Sequence, residues 1–239
     1  EGDANTWVTN SSGSDVPTEW TAAEAAATIT AASDDFKFTV EFLNQTSLGA
    51  NDAARRVAIA TALQASINSN QEIRSDLYEY NLILCPGYPE TVDELLALSQ
   101  DIEEEAFVIA DTPMDLDSTA RLRSRNVAYY YPHALASNLD GVNVMVAASG
   151  VALRTYAYND EVAELWFAPA GTRRGQIIGV AQLGIFTGVA GTATTFVELS
   201  VNQGQRDDLY KFFTNVNPLV FFPGRGYLVW GQKTSAPDA

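Results

Sequence analysis

Three aspartates, Asp111, Asp115 and Asp117, follow an apolar run and stand close enough in sequence to share a hard cation through carboxylate oxygens. The EF-hand pattern requires a glycine after its third ligand and a later glutamate; Ser118 occupies the glycine position. A solvated acidic loop is the favoured reading. Asp111-Thr112-Pro113 lacks the glycine that an aspartic protease needs there, and no second matching motif exists. Cys85 and His133 are a formal nucleophile and base. Cys85 closes an apolar run and reads as a small buried hydrophobe; His133 follows Tyr131-Pro132 and reads as a surface or interface imidazole. One cysteine excludes an intramolecular disulfide and a multi-cysteine metal site, and one histidine excludes His-cluster zinc chemistry. The turn Pro86-Gly87-Tyr88-Pro89 lies where a dinucleotide fold binds phosphate, but neither G-x-G-x-x-G nor a P-loop is present. The expectation is therefore no catalytic, cofactor-binding or metal residues, no cofactor, and no enzyme.

Charge narrows the partners. The 239 residues carry 14 Lys+Arg against 30 Asp+Glu, a formal charge of −16. Phosphate backbones are bound by clustered cations, and no run of basic residues here exceeds two, so nucleic acid is excluded as a partner. With 46% hydrophobic and 18% charged residues the chain is far from the composition of disorder. A chain of this mass buries about 70% of its surface on folding. Gly175–Val197 holds no charge, but Gln182, four threonines and its internal glycines make it a poor helix and a poor membrane anchor. It reads as a buried strand followed by a Gly/Thr-rich loop, with no membrane span. The chain starts at Glu1 with no charged and apolar leader, so it is expected to be a processed product or a fragment.

The elements that must position these residues follow from periodicity. Glu1–Glu19 reads as a frayed terminus or surface arm, and Trp20–Ala32 has little pattern. Phe36, Phe38, Val40 and Phe42 alternate with polar residues, which predicts a half-buried strand. Asn51 or Asp52 is placed to cap a helix with Val57, Ala60, Leu63 and Ile67 on one face. Leu82–Cys85 predicts a buried strand, Thr91 and Glu94 a capping box, Val92–Ile102 an amphipathic helix, and Phe107–Ala110 a second buried strand. Strand, helix and strand in about 30 residues make a right-handed parallel βαβ unit. Further strands are expected at Val127–Tyr131, Val142–Val146, Leu219–Phe222 and Tyr227–Trp230, and helices at Leu153–Tyr158 and Arg206–Asn217.

Several segments, in order, resemble the contractile tail sheath proteins of phages. They are Leu84-Cys85-Pro86-Gly87; Val108 to Pro113; Val127 to Pro132; Ala147 to Gly150 with Arg154-Thr155 and Asn159-Asp160; Trp166 to Gly171; and Pro223 to Thr234. The last, Pro223-Gly224-Arg225-Gly226-Tyr227-Leu228-Val229-Trp230-Gly231-Gln232-Lys233-Thr234, is the most specific. Ala147 and Ala148 replace the two prolines of the family's Pro-Pro-Ser-Gly, and Lys233 replaces an arginine. The divergence suggests a giant-phage-like branch.

The resemblance implies an α/β core domain with a βαβ unit and a β-rich inserted or N-terminal part. It divides the chain into 1–80, 81–234 (the sheath core) and a 235–239 tail, with no match in the first 80 residues and a C-terminal domain expected beyond this chain. It implies a virion structural protein in helical assembly, built in the host cytoplasm, that polymerises around a tail tube and drives it through the host envelope without hydrolysing a nucleotide. The implied partners are other sheath subunits and, in the full-length protein, tube and baseplate; this piece alone is expected to be monomeric. Alternatives are the sheath of a pyocin or type VI-like machine, and an acidic metal-dependent hydrolase or binding module on the Asp111/Asp115/Asp117 loop.

Overall fold

The computed structural model describes residues 7–9, 15–17, 50–75, 77–112, 123–137, 139–164, 166–187, 195–211 and 215–236. The strand expected at Phe36–Phe42, the segment Trp20–Ala32, and Asp115 and Asp117 lie outside them. Strands β1 (Trp7–Thr9) and β2 (Asp15–Pro17) pair antiparallel. Helix α1 (Ala50–Ser69) follows, so Asn51 and Asp52 lie within it instead of capping it. It buries Ile59 and Ala60 against Tyr88, with Leu63 beside them, while Val57 points to solvent.

A six-stranded sheet in the order β3-β4-β5-β11-β12-β8 forms the centre. Its strands are β3 (Leu82–Ile83), β4 (Phe107–Asp111), β5 (Val127–Tyr131), β8 (Gln176–Ile177), β11 (Val216–Phe222) and β12 (Gly226–Val229). The pairs β3–β4, β4–β5 and β5–β11 are parallel; β12 and β8 add antiparallel. Helix α2 (Val92–Asp101) connects β3 to β4 and completes the expected βαβ unit. Strand β3 stops at Ile83, two residues earlier than expected, and Leu84 and Cys85 are only half-buried.

Both faces of the sheet are covered, which is why β4 and β5 read as unbroken apolar runs. Val108, Ala110, Val127, Tyr129, Tyr131 and Val216 face α2 and α5 (Gln203–Tyr210). Ile109, Ala128, Tyr130, Leu219 and Val229 face α3 (Ala148–Val162) through its Ala148, Val151 and Ala152. The period of two along each strand sorts neighbouring residues to opposite layers. Helix α3 is longer than the expected Leu153–Tyr158 because Ala148, Ser149 and Gly150 already form its first turn, with Ala147 at its N-cap.

The β-rich part is inserted between β5 and β11. Strands β6 (His133–Ser137), β7 (Asn143–Val146), β9 (Val180–Thr187) and β10 (Thr195–Glu198) form a separate antiparallel sheet, β10-β9-β6-β7. Val142 falls outside β7 and is exposed. The charge-free Gly175–Val197 stretch supplies β8, β9 and part of β10, and residues 188–194 lie outside the described ones. Gly171–Arg174 forms the short helix α4. Among the described residues no helix is long and apolar enough to cross a membrane.

Two local expectations fail. The Thr91/Glu94 capping box does not form: Thr91 Oγ1 donates to Tyr88 O at 2.9 Å, and Glu94 accepts from Gln64 at 3.4 Å. The tertiary contact with α1 captures Glu94 before it can turn back on its own helix. A capping box does form at α5, where Asn202 Oδ1 accepts from Gln205 N and Gln205 Oε1 from Asn202 N, both at 2.9 Å. The helix expected over Arg206–Asn217 ends at Tyr210. Val216 and Pro218 belong to β11, where pairing between two strands outweighs the helical spacing of Leu209 and Val216.

Candidate functional site

Asp111, the described member of the aspartate trio, ends β4 and is 2% exposed. Its Oδ1 accepts from Ser149 N at 2.7 Å; its Oδ2 accepts from Ser149 Oγ and Gly87 N, both at 2.8 Å. His133 is buried, not at the surface, and its Nδ1 accepts from Ala148 N at 3.1 Å. The two side chains thus satisfy the first N–H groups of α3, which its own Ala147 cap leaves bare. Placing the carboxyl group at a helix N-terminus also suits the helix dipole.

This arrangement engages both side chains in holding the start of α3. Accepting from Ala148 commits His133 Nδ1 as a lone-pair acceptor. Burial lowers the imidazole pKa from its usual 6.5, Asp111 opposes that shift, and Arg56 adds to it. Burial pushes the Cys85 thiol up, with Asp111 and Glu90 in the same direction and Thr91 and Arg56 against. A thiol held protonated is a poor nucleophile. Among the described residues no group of three His, Cys, Asp or Glu side chains is placed to hold a metal ion. Arg56, unremarked in the sequence, locks the neighbouring turn by donating to Glu90 at 3.0 Å and to Gly87 O at 2.8 Å.

The Pro223–Thr234 segment is fixed both at its turn and beyond β12. Arg225 N donates to Phe222 O at 3.0 Å, closing a turn with Pro223 second and Gly224 third at φ 78°, the left-handed position a type II turn requires. Beyond β12, residues 231–236 continue past Asn217 of β11 to Val127 at the start of β5. Asn217, wholly buried in β11, donates through Nδ2 to Lys233 O and accepts through Oδ1 from Lys233 N, both at 2.7 Å. Ser235 N donates to Val127 O at 2.8 Å, and Lys233 Nζ reaches Tyr210 O at 3.0 Å. Gly231 passes so near that an added Cβ would lie 2.5 Å from Asn217 Oδ1 and 3.1 Å from Asn217 Cα. The glycine and the lysine of this motif are therefore parts of a backbone clamp. Sequence reasoning missed Asn217; the available signal was a polar residue set in the apolar run Val216–Phe222.

The described residues form an α/β fold: a mixed sheet covered on both faces, with an antiparallel sheet inserted between two of its strands. The fold is shared with the sheath complex of an extracellular contractile injection system in its contracted state: TM-score 0.52, 17% identity, 77% of this chain and 50% of that one. In sequence, the chain is 25% identical over 222 residues to the tail sheath protein of Vibrio phage KVP40, covering 87% of this chain and 30% of that protein. It is 28% identical over 192 residues to the tail sheath protein of Enterobacteria phage T4, covering 77% and 25%. No protein-family model matches. The resemblance to tail sheath proteins read from the motifs thus holds across the chain. A match over 87% reaches into the first 80 residues, where the motifs showed none. The chain spans 30% or less of the length of these curated relatives.

Proposed function

We propose that this chain is the α/β core of a contractile tail sheath subunit, with residues 81–234 as the repeating body. In that role copies stack around a tail tube, and their rearrangement drives the tube through the host envelope; the protein is a virion component and not an enzyme. The observation that carries the reading is the alignment with two phage tail sheath proteins over most of the chain. The fold supports it physically. A subunit repeated by a screw operation needs heterologous contacts that do not close, and a body stiff enough to move as one piece between two packings. Both faces of the central sheet are covered, and the clamp at Asn217 ties the last segment to it, so the body has few soft joints. The formal charge of −16 keeps isolated copies apart, so the chain by itself is a monomer at micromolar concentration.

Electron microscopy of the complete gene product tests this. Long helical tubes of regularly repeated subunits are the expected result; dispersed particles under every assembly condition would refute it. The sheath of a related injection machine is the second reading, favoured by the fold held in common with the injection-system sheath.

A further inference from the structure

The β11–β12 turn is exposed, and Phe221 beside it is 44% exposed against Tyr227, with ring centroids 5.0 Å apart. Among the described residues the Arg225 guanidinium has no hydrogen bond, ion pair or ring partner, although the protein carries more than twice as many acids as bases. The other cations nearby are engaged: Arg206 lies over Phe222 at 5.0 Å, and Lys233 over Tyr210 at 4.3 Å. An arginine left bare on an aromatic hairpin of an acidic protein is a recognition element without its counterpart.

The counterpart lies elsewhere on the same surface. A cleft of about 890 Å³ is lined by Tyr78, Glu79, Tyr80, Asp101, Glu103 and Glu105, among others. Asp101 is paired with Arg74 at 2.8 Å. Glu79, Glu103 and Glu105 have no cation among the described residues. Two tyrosines and three free carboxylates suit a guanidinium, which stacks on rings and bonds to carboxylates at once.

The positions of the two features decide the partner. The cleft sits just ahead of β3 and β4, at their N-terminal ends and at the β3 edge of the sheet. The hairpin turn follows the C-terminal end of β11, toward the β12–β8 edge. Since β3, β4, β5 and β11 run parallel, turn and cleft occupy diagonally opposite corners. One copy cannot bring them together, but two copies related by translation and rotation can. We propose that Arg225 of one copy docks into the Glu79/Glu103/Glu105 cleft of a second copy. The contact is head-to-tail, so it propagates without closing. As a sheath contact it rests on the functional reading above.

The test measures self-association of this chain by sedimentation equilibrium at millimolar concentration and about 0.15 M salt. There the Debye length of about 8 Å damps repulsion between whole copies but spares contacting charges. The parent forms an open series of oligomers. Arg225→Glu, and separately Glu79→Lys/Glu103→Lys/Glu105→Lys, weaken association at least about tenfold. An equimolar mixture of the two variants regains association, because the unaltered turn of one meets the unaltered cleft of the other and the two altered sides carry opposite charges. All substituted sites are exposed, and matching thermal melts confirm that the variants fold. A parent that stays monomeric, an Arg225→Glu variant that associates like the parent, or a mixture that stays monomeric overturns the proposal. The complete gene product separates this from the functional reading. Tubes built equally well by Arg225→Glu discard the contact and leave the sheath reading standing, whereas no tubes from the unaltered product strikes that reading itself.

Discussion

Replacing Asn217 with alanine should loosen the far end of the chain more than any exposed substitution of equal size. Asn217 is fully buried, and both of its amide groups are engaged by the backbone of Lys233, at 2.7 Å each. Truncation removes two hydrogen bonds and leaves Lys233 N–H and C=O without those partners. An unsatisfied buried polar group costs about 1–3 kcal/mol. Lys233 is only half-buried, so water relieves part of this, and about 3 kcal/mol in total is expected. For a chain of this length that corresponds to a melting temperature lower by about 6–12 °C. Thermal and denaturant unfolding give the global value. Hydrogen exchange gives the local one: the Ser235 amide, bonded to Val127 O, should lose protection together with that of Lys233. An unchanged melting temperature with unchanged exchange at both amides would refute the clamp.

Val108→Asp places a carboxylate in β4 at a wholly buried position between α2 and the sheet, and should abolish cooperative folding; a soluble variant with a sharp melt would contradict the layer assignment. Gly231→Ala and Gly224→Ala should separate two uses of glycine. The first forces Cβ against Asn217 and loses about 1–3 kcal/mol, while the second only strains an open turn at φ 78° and loses about 1 kcal/mol, as paired denaturation curves will show. His133 predicts acid sensitivity. Its folded pKa lies below 6.5, so below that pH the unfolded chain binds more protons and stability falls as pH drops, by at most about 1.4 kcal/mol per unit from this group. The groups facing it are Asp111 and Arg56. Unfolding midpoints at pH 7.5 and 5.5 should differ by less in His133→Asn than in the parent; equal differences would exclude the imidazole as the cause.

Much of the architecture was legible one element at a time. Val127–Tyr131 was read with its observed bounds, and the βαβ unit around α2 was read because strand and helix periods alternate cleanly there. The tail sheath resemblance was legible too, since glycines and aromatics at turns leave traces that survive divergence. The errors cluster where a distant segment supplies the deciding contact. The Thr91/Glu94 box lost Glu94 to Gln64 of α1, and the end of the Arg206–Asn217 helix lost Val216 and Asn217 to a strand between β5 and β12.

His133 and Asp111 show the division most plainly. Composition and periodicity determined that this chain is acidic, packs apolar strands into layers, and holds too few cysteines and histidines for common metal chemistry. What the two polar residues do was decided only in three dimensions. They stand 22 positions apart in sequence, and Ser149 and Ala148 follow later still, yet all four meet at one helix N-terminus. Hydrophobic pattern is a local property that any window of residues reveals. The satisfaction of a buried donor is a property of whichever segments the fold brings together, and no window contains it.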